Sequence, residues 1–263
     1  MKSVVFSVLA TLSLAIATAP GIASAAQAAT TNGRYIGNTG CGAACRSLNW
    51  SGYSVTRHHY TSVTGNWVVP AIDCSAGGRQ FSSTWIGLNG WNNGTVEQTG
   101  TDGKCVDGKA YYRAWWEVFP DFPEIIKFHV SPGDQVAASV VYDPSAGTYT
   151  MKLVDSTKGR SLKYVYTNSA YAPNTSAEWI IERPALCTDP TCSGFKITRL
   201  AKYGTTTFTN ATANGEPISR WASHAVTMVD YRLKDMSVPS ALSSSGDSFT
   251  ATWESYGKIS KFS

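Results

Sequence analysis

Long apolar runs are nearly missing from this sequence. One run, from Val4 to about Ala17, follows Lys2, and no later stretch goes without charged or turn-forming residues for long. A membrane-spanning helix needs roughly 20 apolar positions, so no membrane anchor is expected. The first run is followed by Ala23-Ser24-Ala25 and Ala26-Gln27-Ala28, the pattern of a signal peptide cleaved after residue 25 or 28. The expected location is outside the cell. Familiar catalytic signatures are missing as well: there is no G-x-S-x-G, no H-E-x-x-H and no phosphate-cradling glycine loop. The only histidines are His58, His59, His129 and His224, in surroundings that suggest no triad and no metal site. Strong charge of one sign is lacking too, because the net charge of +4 comes from scattered lysines and arginines. Nucleic-acid binding is therefore not expected.

Aromatic residues are abundant: 31 of the 263 positions are Phe, Trp or Tyr, enough to fill a β core or line a groove. Residues 29–48 are rich in Gly, Asn and Thr without period, and read as an N-terminal loop or short pro-segment. From Asn49 to residue 263 short β-branched and aromatic runs alternate with turn signals, as in a β-sandwich of one domain. Expected strands include Ser82–Leu88, Tyr111–Val118, Ile125–Val130, Gln135–Tyr142, Thr148–Asp155, Ala177–Glu182, Thr205–Thr209, Ala225–Val229 and Phe249–Glu254. Turns at Ser131–Asp134 and Asp143–Gly147 make Ile125–Asp155 an antiparallel meander. Ser237–Ser245 reads as a loop before the last strand. Six cysteines in an exported chain point to disulfides, and 15 pairings are open. The short gaps favour Cys41–Cys45 and Cys187–Cys192, which leaves Cys74–Cys105.

Two segments carry possible chemistry. In Ala177–Glu182 the period of a strand puts Glu178, Ile180 and Glu182 on one face and Trp179 and Ile181 on the other. A carboxylate among apolar neighbours has a raised pKa and suits general acid–base work. Taken alone, the segment also reads as a strand end with two solvated glutamates. Gln98, in Val96-Glu97-Gln98-Thr99-Gly100, falls near the end of a short strand. Its amide can donate to a developing oxyanion, although alone it reads as a cross-strand surface residue.

Six segments in order strengthen the pairing of these two residues: Asn49-Trp50-Ser51-Gly52, Gly65-Asn66-Trp67-Val68-Val69-Pro70, Trp85-Ile86-Gly87-Leu88-Asn89-Gly90, Glu97-Gln98-Thr99-Gly100, Ala114-Trp115-Trp116-Glu117 and Ala177-Glu178-Trp179-Ile180. Together they resemble the glutamic peptidases, or eqolisins, over about residues 49 to 254. The resemblance implies an all-β fold, an antiparallel two-sheet β-sandwich of the concanavalin-like type with its site in a groove. It implies a secreted endopeptidase, a monomer acting on protein or peptide substrates under acidic conditions without metal or cofactor. Gln98 and Glu178 would match the catalytic pair, Trp50, Trp85 and Trp115 the groove lining, and Glu117 a supporting carboxylate. Asn89 stands where the family usually has an aspartate that orients the glutamine; without that charge, Glu178 is expected to ionise at lower pH. The competing reading is a secreted carbohydrate-binding sandwich or glycosidase. Against a retaining glycosidase stands Ile180, where the E-x-D-x-E pattern of such enzymes needs an acid.

Overall fold

Two layers of antiparallel strands form because strands such as Ser62–Val68, Gln135–Asp143 and Thr148–Asp155 alternate buried and more open positions, while Trp50–Thr56, Gln80–Leu88 and Ser176–Glu182 are buried on both faces. The computed structural model describes residues 22–23, 44–91, 94–119, 121, 123–167, 173–188 and 194–258. Among them thirteen strands have five residues or more. In order they are β1 (Trp50–Thr56), β2 (Ser62–Val68), β3 (Gln80–Leu88), β4 (Val96–Val106), β5 (Lys109–Phe119), β6 (Gln135–Asp143) and β7 (Thr148–Asp155). There follow β8 (Arg160–Thr167), β9 (Ser176–Glu182), β10 (Thr205–Ala213), β11 (Ala222–Val229), β12 (Asp235–Pro239) and β13 (Phe249–Trp253). A single 3-10 turn, Ile218–Arg220, is the helical part of the described residues, and no helix among them is long and apolar enough to cross a membrane.

The front sheet runs β10-β13-β12-β11-β1-β9-β3-β4-β5 and the back sheet β8-β7-β6-β2-β10. Strand β10 belongs to both, because Thr205–Phe208 pairs with β13 and Thr209–Ala213 with β2. Just past the junction, the register shifts between Thr209 and Thr212, where Asn210 has φ +49°. Such a bulge bends a strand from one sheet to the other.

Between the sheets lies the main core. Tyr53, Val55, Ile86, Leu88, Trp179 and Ile181 of the front sheet belong to the same buried cluster as Val63, Trp67, Val136, Val140, Met151 and Leu153 of the back sheet. Each fully buried side chain of this size contributes about 1.5–3 kcal/mol. The two large indoles also satisfy their N–H groups: Trp179 Nε1 donates to the Thr64 carbonyl at 2.6 Å and Trp67 Nε1 to Thr101 Oγ1 at 3.0 Å. A second apolar cluster, with Trp50, Trp85, Trp115 and Ile180 among its members, lies on the other face of the front sheet.

Several sequence expectations need correction. The run Ile125–Val130 is not a strand: only Glu124–Ile125 pairs, with β5, and the chain then crosses to the back sheet. Ile126 and Val130 are buried in that crossing, so their apolar character reflects burial without a ladder. The meander is accordingly β6-β7-β8. Gln98 lies near the start of an eleven-residue strand and not near the end of a short one. The strand Asp235–Pro239 takes the first three residues of the stretch read as a loop, and Ala44–Ser47 pairs parallel to β11. The signal peptide and pro-segment fall largely outside the described residues; within them, Ile22–Ala23 pairs with Ala185 and Leu186. Cys74 and Cys105 form a disulfide. Cys45 and Cys187 are also disulfide-bonded, while Cys41 and Cys192 lie outside the described residues.

Candidate active site

Strand register gathers residues that are far apart in sequence. Glu178 in β9 stands opposite Ser54 in β1 and Gly87 in β3. Gly87 stands opposite Gln98 in β4, Gln98 opposite Glu117 in β5, and Ser54 opposite His224 in β11. One row across the front sheet therefore reads His224, Ser54, Glu178, Gly87, Gln98, Glu117. Two residues along, the next row reads Ile180, Trp85, Gly100, Trp115, and the one beyond it Trp50, Glu182, Ser83, Asp102, Arg113.

Gly87 separates the two principal groups. The backbones of β9 and β4 are two strand spacings apart, about 10 Å, and Gly87 puts no side chain between them. A methyl group there would come within 3.0 Å of Val96 Cγ1 and 3.1 Å of Gln98 Cβ.

Glu178, Gln98 and Glu117 are all fully buried. Gln98 Nε2 donates to Glu117 Oε2 at 2.5 Å. This contact turns the amide N–H2 toward Glu117 and leaves one N–H and the carbonyl oxygen for other partners. Glu178 Oε1 accepts from Ser54 Oγ at 3.3 Å. Gln98 Oε1 and Glu178 Oε2 are buried with no partner, and so are the indole N–H groups of Trp50 and Trp115. Buried polar atoms of this kind are rare and call for a reason.

Burial holds the Glu178 carboxyl well above its ordinary 4.5, against hydrogen bonds from Ser176 and Ser54 that pull it down, and the nearby Glu97 carboxyl pushes it further up. Glu97 points to the opposite face, and burial raises it to about 7 despite a hydrogen bond from Asn89.

The tryptophans and Asn89 divide. Trp50, Trp85 and Trp115 share the apolar cluster beside the Glu178–Gln98 row, with Trp50 edge-on to Trp85 at 5.2 Å between centroids. Trp85 Nε1 donates to Glu182 Oε2 at 2.8 Å. Asn89 is not in the row. Its φ is +72°, and its Nδ2 donates to Glu97 Oε2 and Asn174 Oδ1, both at 2.9 Å. The charge that Glu178 senses from this side is thus that of Glu97, a residue sequence reading passed over although it adjoins Gln98. Ser54 was passed over too, and only the pairing of β1 with β9 brings it to Glu178. Among the described residues no group of three or more His, Cys, Asp or Glu could hold a metal ion.

Residues 48–253 match the peptidase A4 family. The chain belongs to that family. It is 31% identical over 230 residues to aspergillopepsin-2 of Aspergillus niger, covering 79% of this chain and 78% of that peptidase. The crystal structure of scytalido-glutamic peptidase with a transition state analog inhibitor superposes with a TM-score of 0.68 at 23% identity, covering 79% of this chain and 99% of the other. SCP-B, a member of the eqolisin family in complex with the tripeptide Ala-Ile-His, gives 0.65 at 22% identity, with coverage of 79% and 99%. As a peptidase A4 protein with the eqolisin β-sandwich, the chain is a hydrolase of the glutamic-type endopeptidase class.

Proposed function

We propose that this peptidase is secreted, works in acidic to mildly acidic medium, and cleaves peptide bonds with Glu178 as general base and Gln98 as oxyanion donor. The observation that carries the reading is the pair of orphaned acceptors, Gln98 Oε1 and Glu178 Oε2, flanking the side-chain-free position Gly87. A water molecule has two hydrogens, and two acceptors facing one gap suit it. Held so, the water turns a lone pair toward a substrate carbonyl. Glu178 takes its proton as the oxygen–carbon bond forms, and the second N–H of Gln98 donates to the developing oxyanion. Glu178 then returns the proton to the leaving nitrogen as the carbon–nitrogen bond breaks. Glu117 keeps the amide turned for this task. Because the base must be ionised and burial raises its pKa, the acid limb of kcat/KM belongs above the usual glutamate range. Peptide substrates are supported by the inhibitor and tripeptide bound to the related peptidases, and export by the signal-peptide pattern.

Digestion of a denatured protein between about pH 2 and 7, which brackets carboxyl titration, tests the activity. Gln98→Ala and Glu178→Gln are each expected to lower turnover by about 100- to 1,000-fold with the fold intact by circular dichroism. Near-normal turnover in either variant would refute the assignment.

A further inference from the structure

The two oxygens of the Glu178 carboxyl are not equivalent. Oε1 accepts from Ser54 Oγ at 3.3 Å, while Oε2 has no partner. Ser54 is itself fully buried, directly across from Glu178 in the adjoining strand. Two residues before Glu178 on the same face, Ser176 is buried to 1% exposure, and its hydroxyl lies near enough to the carboxyl to pull its pKa down. The Ser176 oxygen accepts from the Trp91 backbone N–H at 3.3 Å, so the hydroxyl hydrogen is available for Glu178. A buried hydroxyl is costly unless bonded, and Ser54 spends its hydrogen on this carboxyl.

We propose that Ser54 and Ser176 are positioning residues for the reaction: Ser54 holds Glu178 by its Oε1 edge and Ser176 flanks the same carboxyl, so that Oε2 is left to meet the water. This rests on Glu178 being the base. Two donors favour the carboxylate over the acid, which opposes the burial that favours the acid. Ser54 reaches the carboxyl across the sheet, and Ser176 flanks it along the strand. The other ionisable groups around Glu178 are Glu97 and Tyr60, which are electrostatically coupled to it, and Glu117 and His224 in its cross-strand row.

The test compares the pH dependence of kcat/KM on one peptide for the parent protein, Ser54→Ala, Ser176→Ala and Ser54→Thr, with thermal unfolding of each and Glu178→Gln as reference. Both alanine variants are expected to shift the acid limb to higher pH. On that limb kcat/KM falls about tenfold, as for loss of a hydrogen bond to a charged group, and the deficit narrows as pH rises, with KM little changed. Ser54→Thr keeps the hydroxyl and follows the parent. An unshifted limb in both alanine variants, or an equal loss at every pH, would overturn the proposal. If Ser54→Ala does not fold, Ser176→Ala decides alone by the same criteria. Activity retained by Glu178→Gln would instead overturn the base assignment, whereas an inactive Glu178→Gln with unshifted alanine variants removes only the positioning role.

Discussion

At residue 89 an amide does what a carboxylate could not. Asn89 donates through Nδ2 to Glu97 Oε2 and to Asn174 Oδ1, and Tyr149 completes the buried group by donating to Asn174 Oδ1. An aspartate would face two acceptors with a third. It could meet Glu97 only by sharing a proton with it, as paired carboxyls do. Asn89→Asp is therefore expected to cost about 1–3 kcal/mol near neutral pH, the range for an unsatisfied buried group, and less near pH 4, where one acid donates to the other. Denaturant unfolding at the two pH values measures this. Equal costs at both would show that residues 89 and 97 do not act as a pair.

Strand β3 contributes to the site by what it omits. Opposite β9 its outer-face positions are Ser83, Trp85 and Gly87, and only Gly87 puts no side chain between its neighbours, here Glu178 and Gln98. Gly87→Ala would press on Gln98 Cβ, Val96 and the Glu97 carbonyl oxygen. Overpacking of this size costs about 1–3 kcal/mol, and the displaced Gln98 should lower kcat/KM more than tenfold, read from kinetics beside the thermal midpoint. A variant that loses stability but keeps its rate would mean the gap is not used. Elements differ in how openly the sequence declares them. Thr148–Asp155 is a strand with the limits its alternation indicates, and Ser82–Leu88 lies within Gln80–Leu88, because β-branched and aromatic residues follow one another there. Trp50–Thr56 holds a glycine and three hydroxyl residues and does not read as a strand. Arg160–Thr167 is an edge strand whose charges mask Leu162, Tyr164 and Tyr166. The shared face of Glu178 and Glu182 follows from period alone, as does the opposite face of Trp179. Contacts such as Gln98 with Glu117, Glu178 with Ser54 and Asn89 with Glu97 depend on which strands pair, and periodicity carries no such information.

Across the whole molecule, buried carboxyls tie stability to acid. Glu97 rises from 4.5 to about 7 on folding because of burial. A carboxyl whose folded pKa is raised keeps its contribution below the unfolded value and loses it as pH climbs through the folded one. The fold should therefore lose about 3 kcal/mol from Glu97 between pH 4.5 and 7, and Glu178 acts in the same sense. At the acid end Asp73, lowered to about 2 chiefly by Ser75, and Asp143, lowered chiefly by Ser145, work oppositely, since their contributions fade as pH falls through their folded values. Asp143 is exposed and Asp73 half-buried with 40% of its side chain accessible, so solvent keeps their share small. Thermal midpoints at pH 5 and 7.5 should show the fall, Glu97→Gln should reduce it, and Glu97→Gln with Glu178→Gln should nearly abolish it. A parent protein equally stable at both pH values would contradict this. Strand order has a consequence for how the protein comes into being. β9 sits between β1 and β3, yet more than a hundred residues separate it from β1 along the chain. A chain still emerging from synthesis can fold the hairpins of β3, β4 and β5, but its centre stays unfilled until residue 182 is available. Contacts of such long range form slowly, and the row that unites residues 54, 98 and 178 closes only with them. With Glu178 as the proposed base, a chain that has not yet reached β9 lacks its own cutting machinery while it is incomplete, unfolded and easiest to cut.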